Sequence, residues 1–360
     1  MKVFALFPAA LLSVGTPAAA DDDLQEALAA IRRETDVPAL GALVMRDGKE
    51  EAIAVVGRRR AGRATGVKVD DRWHIGSDTK AMTATLVARF VEAGELSFET
   101  TMAEAFPDFA DALPDPARAI TLEQLLAHTA GLPANPPAPL FAMLRTGDAT
   151  VVERRRELAR WALGNDLLSD PGEAFHYSNV GYVVVGAALE SRFGKPWEDL
   201  IARELFEPLG IETFGFGGPP GQNPRGHIRQ DGNPEPVGTG FLGDNPAAYG
   251  PAGTVHMCLR DWMKFASDQL AGARAEPGTL LKPESYHALH RPRLQNYALG
   301  WSATDRSPQR LSHDGSNTFW YARATLYPEE NFGYLIVTNE AGDRGKDALN
   351  AVETHLRKGR

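Results

Sequence analysis

Apolar positions repeat along this chain with two different periods, and the switches between them divide it. After Asp23, "LQEALAAIRRET" carries helical spacing. "LGALVMRDGKEEAIAVVG" then reads as two strands reversed at Asp47-Gly48, a hairpin that begins a sheet. "RWHIG" is a further short strand that leads directly into a helix predicted from Ser77 to about Ala93, which Gly94 stops. From 100 to 210 the pattern is helical. "TLEQLLAHTAGL", opened by a Thr121-x-x-Gln124 capping box, and "VVERRRELARWAL" dominate, and strand signals are scarce. Residues 215–253 hold glycine and proline throughout, and a loop of that length in a compact domain is usually functional. Strand signals return in "YALGWSAT", "RLSHDG", "YARATLYP" and "GYLIVTN", ahead of a C-terminal helix from about Gly345. The plan is strands at both ends of the chain around a helical middle.

Composition narrows the possibilities. A chain of 360 residues with 43% hydrophobic content is long enough for one large domain or two interleaved lobes. Lys plus Arg number 38 against 47 Asp plus Glu, a net charge of −9, which disfavours nucleic acid as a partner. Lys2, the apolar run Val3 to Val14 and the small residues Ala18-Ala19-Ala20 form the pattern of a cleavable secretory signal over residues 1–20. The run is shorter than the roughly 20 residues a membrane span requires. The single cysteine, Cys258, rules out an internal disulfide and reads as a small buried hydrophobe; no cysteine follows the signal to carry a lipid anchor. A periplasmic or secreted location without a stable membrane anchor is therefore expected.

The chemistry starts from a misplaced charge. Ser77 opens the predicted helix, and Ser77, Lys80, Ala81, Ala84 and Ala88 share one face of it. Met82, Leu86, Val87, Phe90 and Val91 cover most of the rest, so the helix is expected to be central. Serine is a common N-cap, and a capping box would place Glu or Gln at 80. Lysine stands there instead, where the helix dipole penalises a cation by about 0.3–1 kcal/mol. An amine three residues from the serine lies within reach of its hydroxyl, and burial near positive dipoles lowers its pKa towards a neutral base. The same dipoles stabilise an oxyanion.

S-x-x-K alone is weak, but two further stretches accompany it: Tyr177-Ser178-Asn179 in "PGEAFHYSNVGY" and His313-Asp314-Gly315 in "LSHDGSNTFWYA". With these the chain resembles the penicillin-recognising serine hydrolases, the class C β-lactamase and penicillin-binding-protein-like family. "LLAHTAGLP" and "YGPAGTVHMCLRDWMKF" also look like signatures of that family, and the resemblance covers nearly all of the chain beyond the signal.

It implies an α/β (α+β) two-lobed fold: an antiparallel sheet flanked by helices, built from about 21–99 and 254–360, with a helical and loop-rich lobe from 100–253 inserted. It implies that Ser77 attacks a carbonyl while Lys80 and Tyr177 share the general-base work. Asn179 hydrogen-bonds substrate and Lys80, His313 and Gly315 line the substrate strand, and the N–H groups of Ser77 and Ser316 form the oxyanion hole. A cationic lysine is expected to lower the Tyr177 phenol's pKa.

Where the family's strand motif often reads K-T-G, His313 replaces a permanent cation with a mostly neutral ring, which weakens a β-lactam reading. His287 and His290 have helical spacing but no third metal ligand, so they read as a surface helix. His74 and His176 flank the motifs as core or rim residues. No G-x-S-x-G elbow is present. The loop 215–253 and "GLPANPPAPL" are expected to rim the cleft, with Phe214, Phe216, Phe241 and Tyr249 offering an apolar surface. The expectation is an exported serine hydrolase for a small ester, amide or peptide, with no metal or other cofactor. The alternatives are a β-lactamase proper and a penicillin-binding sensor or cell-wall binding module with little turnover.

Overall fold

A computed structural model describes residues 17–304 and 306–358 of the protein. Residues 1–16, most of the expected signal, lie outside them, and so does the side chain of Phe241.

The hairpin forms as its sequence dictates. Strands β1 (Ala39–Arg46) and β2 (Lys49–Gly57) reverse at Asp47 and Gly48, whose φ values of 52° and 69° suit the twist of a two-residue turn. Three strands from the other end of the chain join them: β9 (Leu311–Ser316), β10 (Tyr321–Tyr327) and β11 (Phe332–Thr338). With the short β8 (Ser302–Ala303) they make a six-stranded antiparallel sheet in the order β2-β1-β11-β10-β9-β8. Both chain ends thus meet at the β1–β11 pair, where Leu43 faces Leu335.

Alternation along β1 supplies two cores at once. Leu40, Ala42 and Val44 pack with Leu24 and Leu28 of α1 (Pro17–Thr35) and with Leu349 and Val352 of the C-terminal helix Gly342–Leu356. Ala39, Leu43 and Met45 face the larger core, to which Trp262, Phe265 and Leu270 of the helix Leu259–Ala273 also belong. β11 is buried along its whole length, as expected for a strand covered on both faces.

The helix predicted from Ser77 is present with its first turn tightened. A 3₁₀ turn over Gly76–Asp78 precedes α2 (Thr79–Glu92), in which every residue but Arg89, Val91 and Glu92 is buried. Thr121 and Gln124 form the capping box read in the sequence. The helices Val151–Gly164 and Asn179–Phe193 pack side by side in the helical middle of the chain.

Two segments depart from the pattern. The glycine- and proline-rich 215–253 stretch contains β4 (Gly215–Phe216), which joins β3 (Trp73–His74) and β7 (Val255–Met257), and a hairpin of β5 (His227–Gln230) and β6 (Asn233–Pro236). Pro234 and Pro236 masked that hairpin, since proline cannot donate to a ladder. The strand signal in "YALGWSAT" produces only two strand residues; Tyr297–Gly300 turn instead and lay the Tyr297 ring 6.4 Å from that of Tyr177.

Candidate active site

From Trp73 to Ala88 every residue is buried except Ser77. Ser77 is thus the one residue of this segment that reaches the surface. Ser77 sits in the 3₁₀ turn, and the first turn of α2 brings Lys80 Nζ to 3.0 Å from its Oγ. The amine also lies 2.8 Å from Asn179 Oδ1 and 2.7 Å from the carbonyl of Ala252. Lys80 is fully buried, and that burial holds its amine well below the ordinary lysine value, opposed only in part by the nearby Asp78 carboxyl. A neutral amine has two N–H donors and one lone pair. The two carbonyl-type oxygens take the donors, and the lone pair faces the serine hydroxyl.

The second element is the start of the helix Asn179–Phe193. Ser178 caps it, its hydroxyl accepting from the N–H of Gly181 at 2.9 Å, which fixes the backbone on either side. Asn179 is held by its N–H to Ala134 O at 3.0 Å and by its amide to Asn135 Oδ1 at 3.0 Å. The proline-rich "GLPANPPAPL" therefore buttresses the site from behind. Tyr177 places its ring 4.9 Å from Lys80 Nζ and its hydroxyl in hydrogen-bond contact with Ser77. Its phenol is not acidified, contrary to expectation: burial raises its pKa, and the Ser77 hydrogen bond offsets only part of that. With Lys80 favoured as a neutral amine, the positive charge that was to acidify the phenol is missing.

His128, in the stretch "LLAHTAGLP", carries a role that the sequence did not suggest. Its Nδ1 accepts the N–H of Ser178 at 3.1 Å and its ring lies 4.3 Å from the Tyr177 ring, so it holds both the turn and the phenol. The left-handed φ of 60° at His128 and the contacts that define its role belong to the fold, and no sequence pattern marks them.

Strand β9 closes the third side. Two glycines let it lie directly on the serine turn: a Cβ on Gly315 would stand 1.9 Å from Ile75 O, and one on Gly76 would stand 2.5 Å from the backbone N of Ser316. The backbone N of Ser316 thereby lies against the turn that carries Ser77. His313 is buried, with Nε2 3.0 Å from the Tyr297 hydroxyl and Nδ1 2.9 Å from the carbonyl of Asp314. Burial pushes its pKa down to about 4. His313, Tyr177 and Tyr297 line a cavity of about 490 Å³ that also touches Asp314, Arg310 and Arg323.

Other expectations need correction. Phe214 and Phe216 do not rim the cleft; they pack against Phe206 and Trp197, because the β4–β7 pairing turns them inward. Tyr249 is buried, with its hydroxyl 3.4 Å from Asn135 Oδ1. His290 is not on a surface: it is buried against Gln269, and only His287 of the pair is exposed. His74 belongs to the core, bonded to Asp244, and His176 is half-buried. Cys258 is buried and free. Among the described residues no group of three or more His, Cys, Asp or Glu could hold a metal ion, and no helix is long and apolar enough to cross a membrane.

Known proteins resemble this chain in sequence and in fold. Penicillin-binding protein 4 of Amycolatopsis lactamdurans is 30% identical over 342 residues, covering 88% of this chain and 84% of that protein. Among solved structures, EstCE1, described as a hydrolase with promiscuous acyltransferase activity, superposes with a TM-score of 0.76 at 18% identity, over 93% of this chain and 99% of that one. The D-alanine carboxypeptidase AmpC of Burkholderia cenocepacia does so with a TM-score of 0.73 at 18% identity, over 94% and 99%. The Beta-lactamase family model matches residues 23–356. The chain therefore belongs to the Beta-lactamase family, with the β-lactamase/transpeptidase-like fold of the penicillin-binding-protein-like serine hydrolases.

Proposed function

We propose that the protein is an exported hydrolase that forms an acyl-enzyme on Ser77 and cleaves a small ester, amide or peptide. One observation carries the reading: a buried lysine amine, its two donors taken by Asn179 and Ala252, stands 3.0 Å from the hydroxyl of the one residue of its segment that reaches the surface. Lys80 takes the Ser77 proton as Oγ adds to the substrate carbonyl. The N–H groups of Ser77 and Ser316 receive the oxyanion. Tyr177 remains a phenol and acts as the acid that hands a proton to the leaving group, and the ammonium formed on Lys80 makes good that loss. Water then attacks the acyl-enzyme, and the same two residues reverse their roles. Asn179 orients Lys80 and the substrate; His313 and Gly315 shape the strand along which substrate lies.

Uncharged His313 favours neutral acyl groups over substrates that rely on a fixed cation at that place. The leader read in residues 1–20 and the lack of a following cysteine support a periplasmic or secreted location. The test is hydrolysis of p-nitrophenyl acetate by wild type and by Ser77→Ala, with a loss on the order of 10⁴-fold or more expected. Equal turnover by the two removes Ser77 from the chemistry. The likeness to a penicillin-binding protein supports a second reading, acylation with little turnover. Mass spectrometry after exposure to a labelled β-lactam separates them, since a persistent adduct on Ser77 supports the binding module.

A further inference from the structure

Behind the two oxyanion donors lies a buried polar chain that the reaction does not use. His74 Nδ1 accepts the N–H of Gly76 at 3.1 Å, so the ring proton is on Nε2, which donates to Asp244 Oδ2 at 2.8 Å. Asp244 Oδ1 accepts from Asn317 Nδ2 at 2.8 Å and from the N–H of Asn245 at 2.7 Å. Asn317 Oδ1 in turn accepts the N–H groups of Phe319 and Trp320 at 3.1 and 3.2 Å, and the indole of Trp320 stacks on His74 with ring centroids 5.3 Å apart. His74, Asp244 and Asn317 are all buried. The chain joins three distant segments: the turn before Ser77, the 215–253 loop, and the residue after Ser316.

We propose that Asp244 is a positioning residue for the oxyanion hole, holding the Ser77 turn and the Ser316 end of β9 at a fixed separation. A carboxylate is needed because it only accepts. It fixes the His74 tautomer whose Nδ1 can receive the Gly76 N–H, and at the same time it receives Asn317. An asparagine at 244 offers one oxygen and one NH₂. If the NH₂ faces His74, the imidazole must carry its proton on Nδ1 and loses Gly76; if it faces Asn317, two amide donors meet.

The proposal rests on Ser77 and Ser316 forming the hole, and its experiment separates the two claims. In Asp244→Asn, kcat for p-nitrophenyl acetate is expected to fall about 10–100-fold with KM changed by less than about twofold. Affinity for a boronic acid, which mimics the tetrahedral state on Ser77, falls by the same factor. The amides of Gly76 and Trp320 exchange hydrogen faster. If Asp244→Asn does not fold, Asn317→Ser cuts one arm of the chain and is read the same way. Wild-type exchange at both amides together with unchanged boronate affinity overturns the proposal. Failure of wild type to take the boronate on Ser77 sinks the hydrolase reading instead, while the amide exchange still decides the clamp.

Discussion

Lys80 occupies a place that opposes its own charge, and stability and activity should pull apart there. Its folded pKa is lowered, so the unfolded chain binds the proton more readily, and below the ordinary value of 10.5 that difference weighs against folding. Wild type is accordingly expected to gain stability relative to Lys80→Met as pH rises towards 10.5, by about 1.4 kcal/mol for each unit of the range in which only the unfolded chain is protonated. The same substitution should cost about 10²–10⁴-fold in turnover, the usual worth of a general base. Urea titrations of both proteins from pH 6 to 10, run beside ester assays, check the pair of effects, and a stability difference that does not vary with pH would contradict the buried amine. This residue was legible in the sequence because a capping box would have placed Glu or Gln where Lys80 stands; in the structure Asp78, not Ser77, occupies the N-cap position. The state of the Tyr177 phenol was not, since it depends on burial contributed by segments remote in the chain.

Among the elements, the meeting of β9 with the 3₁₀ turn is the closest packing in the site. Gly315→Ala would drive a methyl group into Ile75 O, which stands 1.9 Å from the Cβ position, with Asp78 Oδ2 at 2.6 Å. Neither neighbour can retreat, one being backbone and the other a buried side chain, so strand and turn must separate. A loss of about 1–3 kcal/mol in stability is expected, seen as a lower melting temperature, together with loss of acylation at Ser77 because the Ser316 N–H moves with the strand. The hairpin at Asp47-Gly48, the Thr121 capping box and the strands from 311 to 338 could be read from pattern, since their periodicity and turn residues are local. The β5–β6 hairpin, the shortness of β8 and the inward turn of Phe214 and Phe216 could not, because proline content and partners far along the chain decide them.

Across the molecule, buried histidines make acid the weak direction. Burial holds His227, His256 and His313 at about 4 and His290 at about 3, and lowers His128 well below its ordinary 6.5. As pH falls through 6.5 the unfolded chain takes up these protons first, so stability is lost between about 6.5 and 4. Asp78, Asp268 and Glu190, raised by burial, act in the opposite sense but are fewer. Thermal scans should therefore show a melting temperature that drops steeply over that interval, and a flat profile would contradict the buried neutral rings. The two-ended sheet has a further consequence. A ribosome that has made everything up to the Tyr177 turn has supplied the serine, the amine and the phenol, yet the Ser316 donor and the strand that seats it are still untranslated. On the proposed mechanism catalytic competence arrives late and all at once, so nascent or C-terminally clipped chains should be inert towards esters in the compartment where they are made.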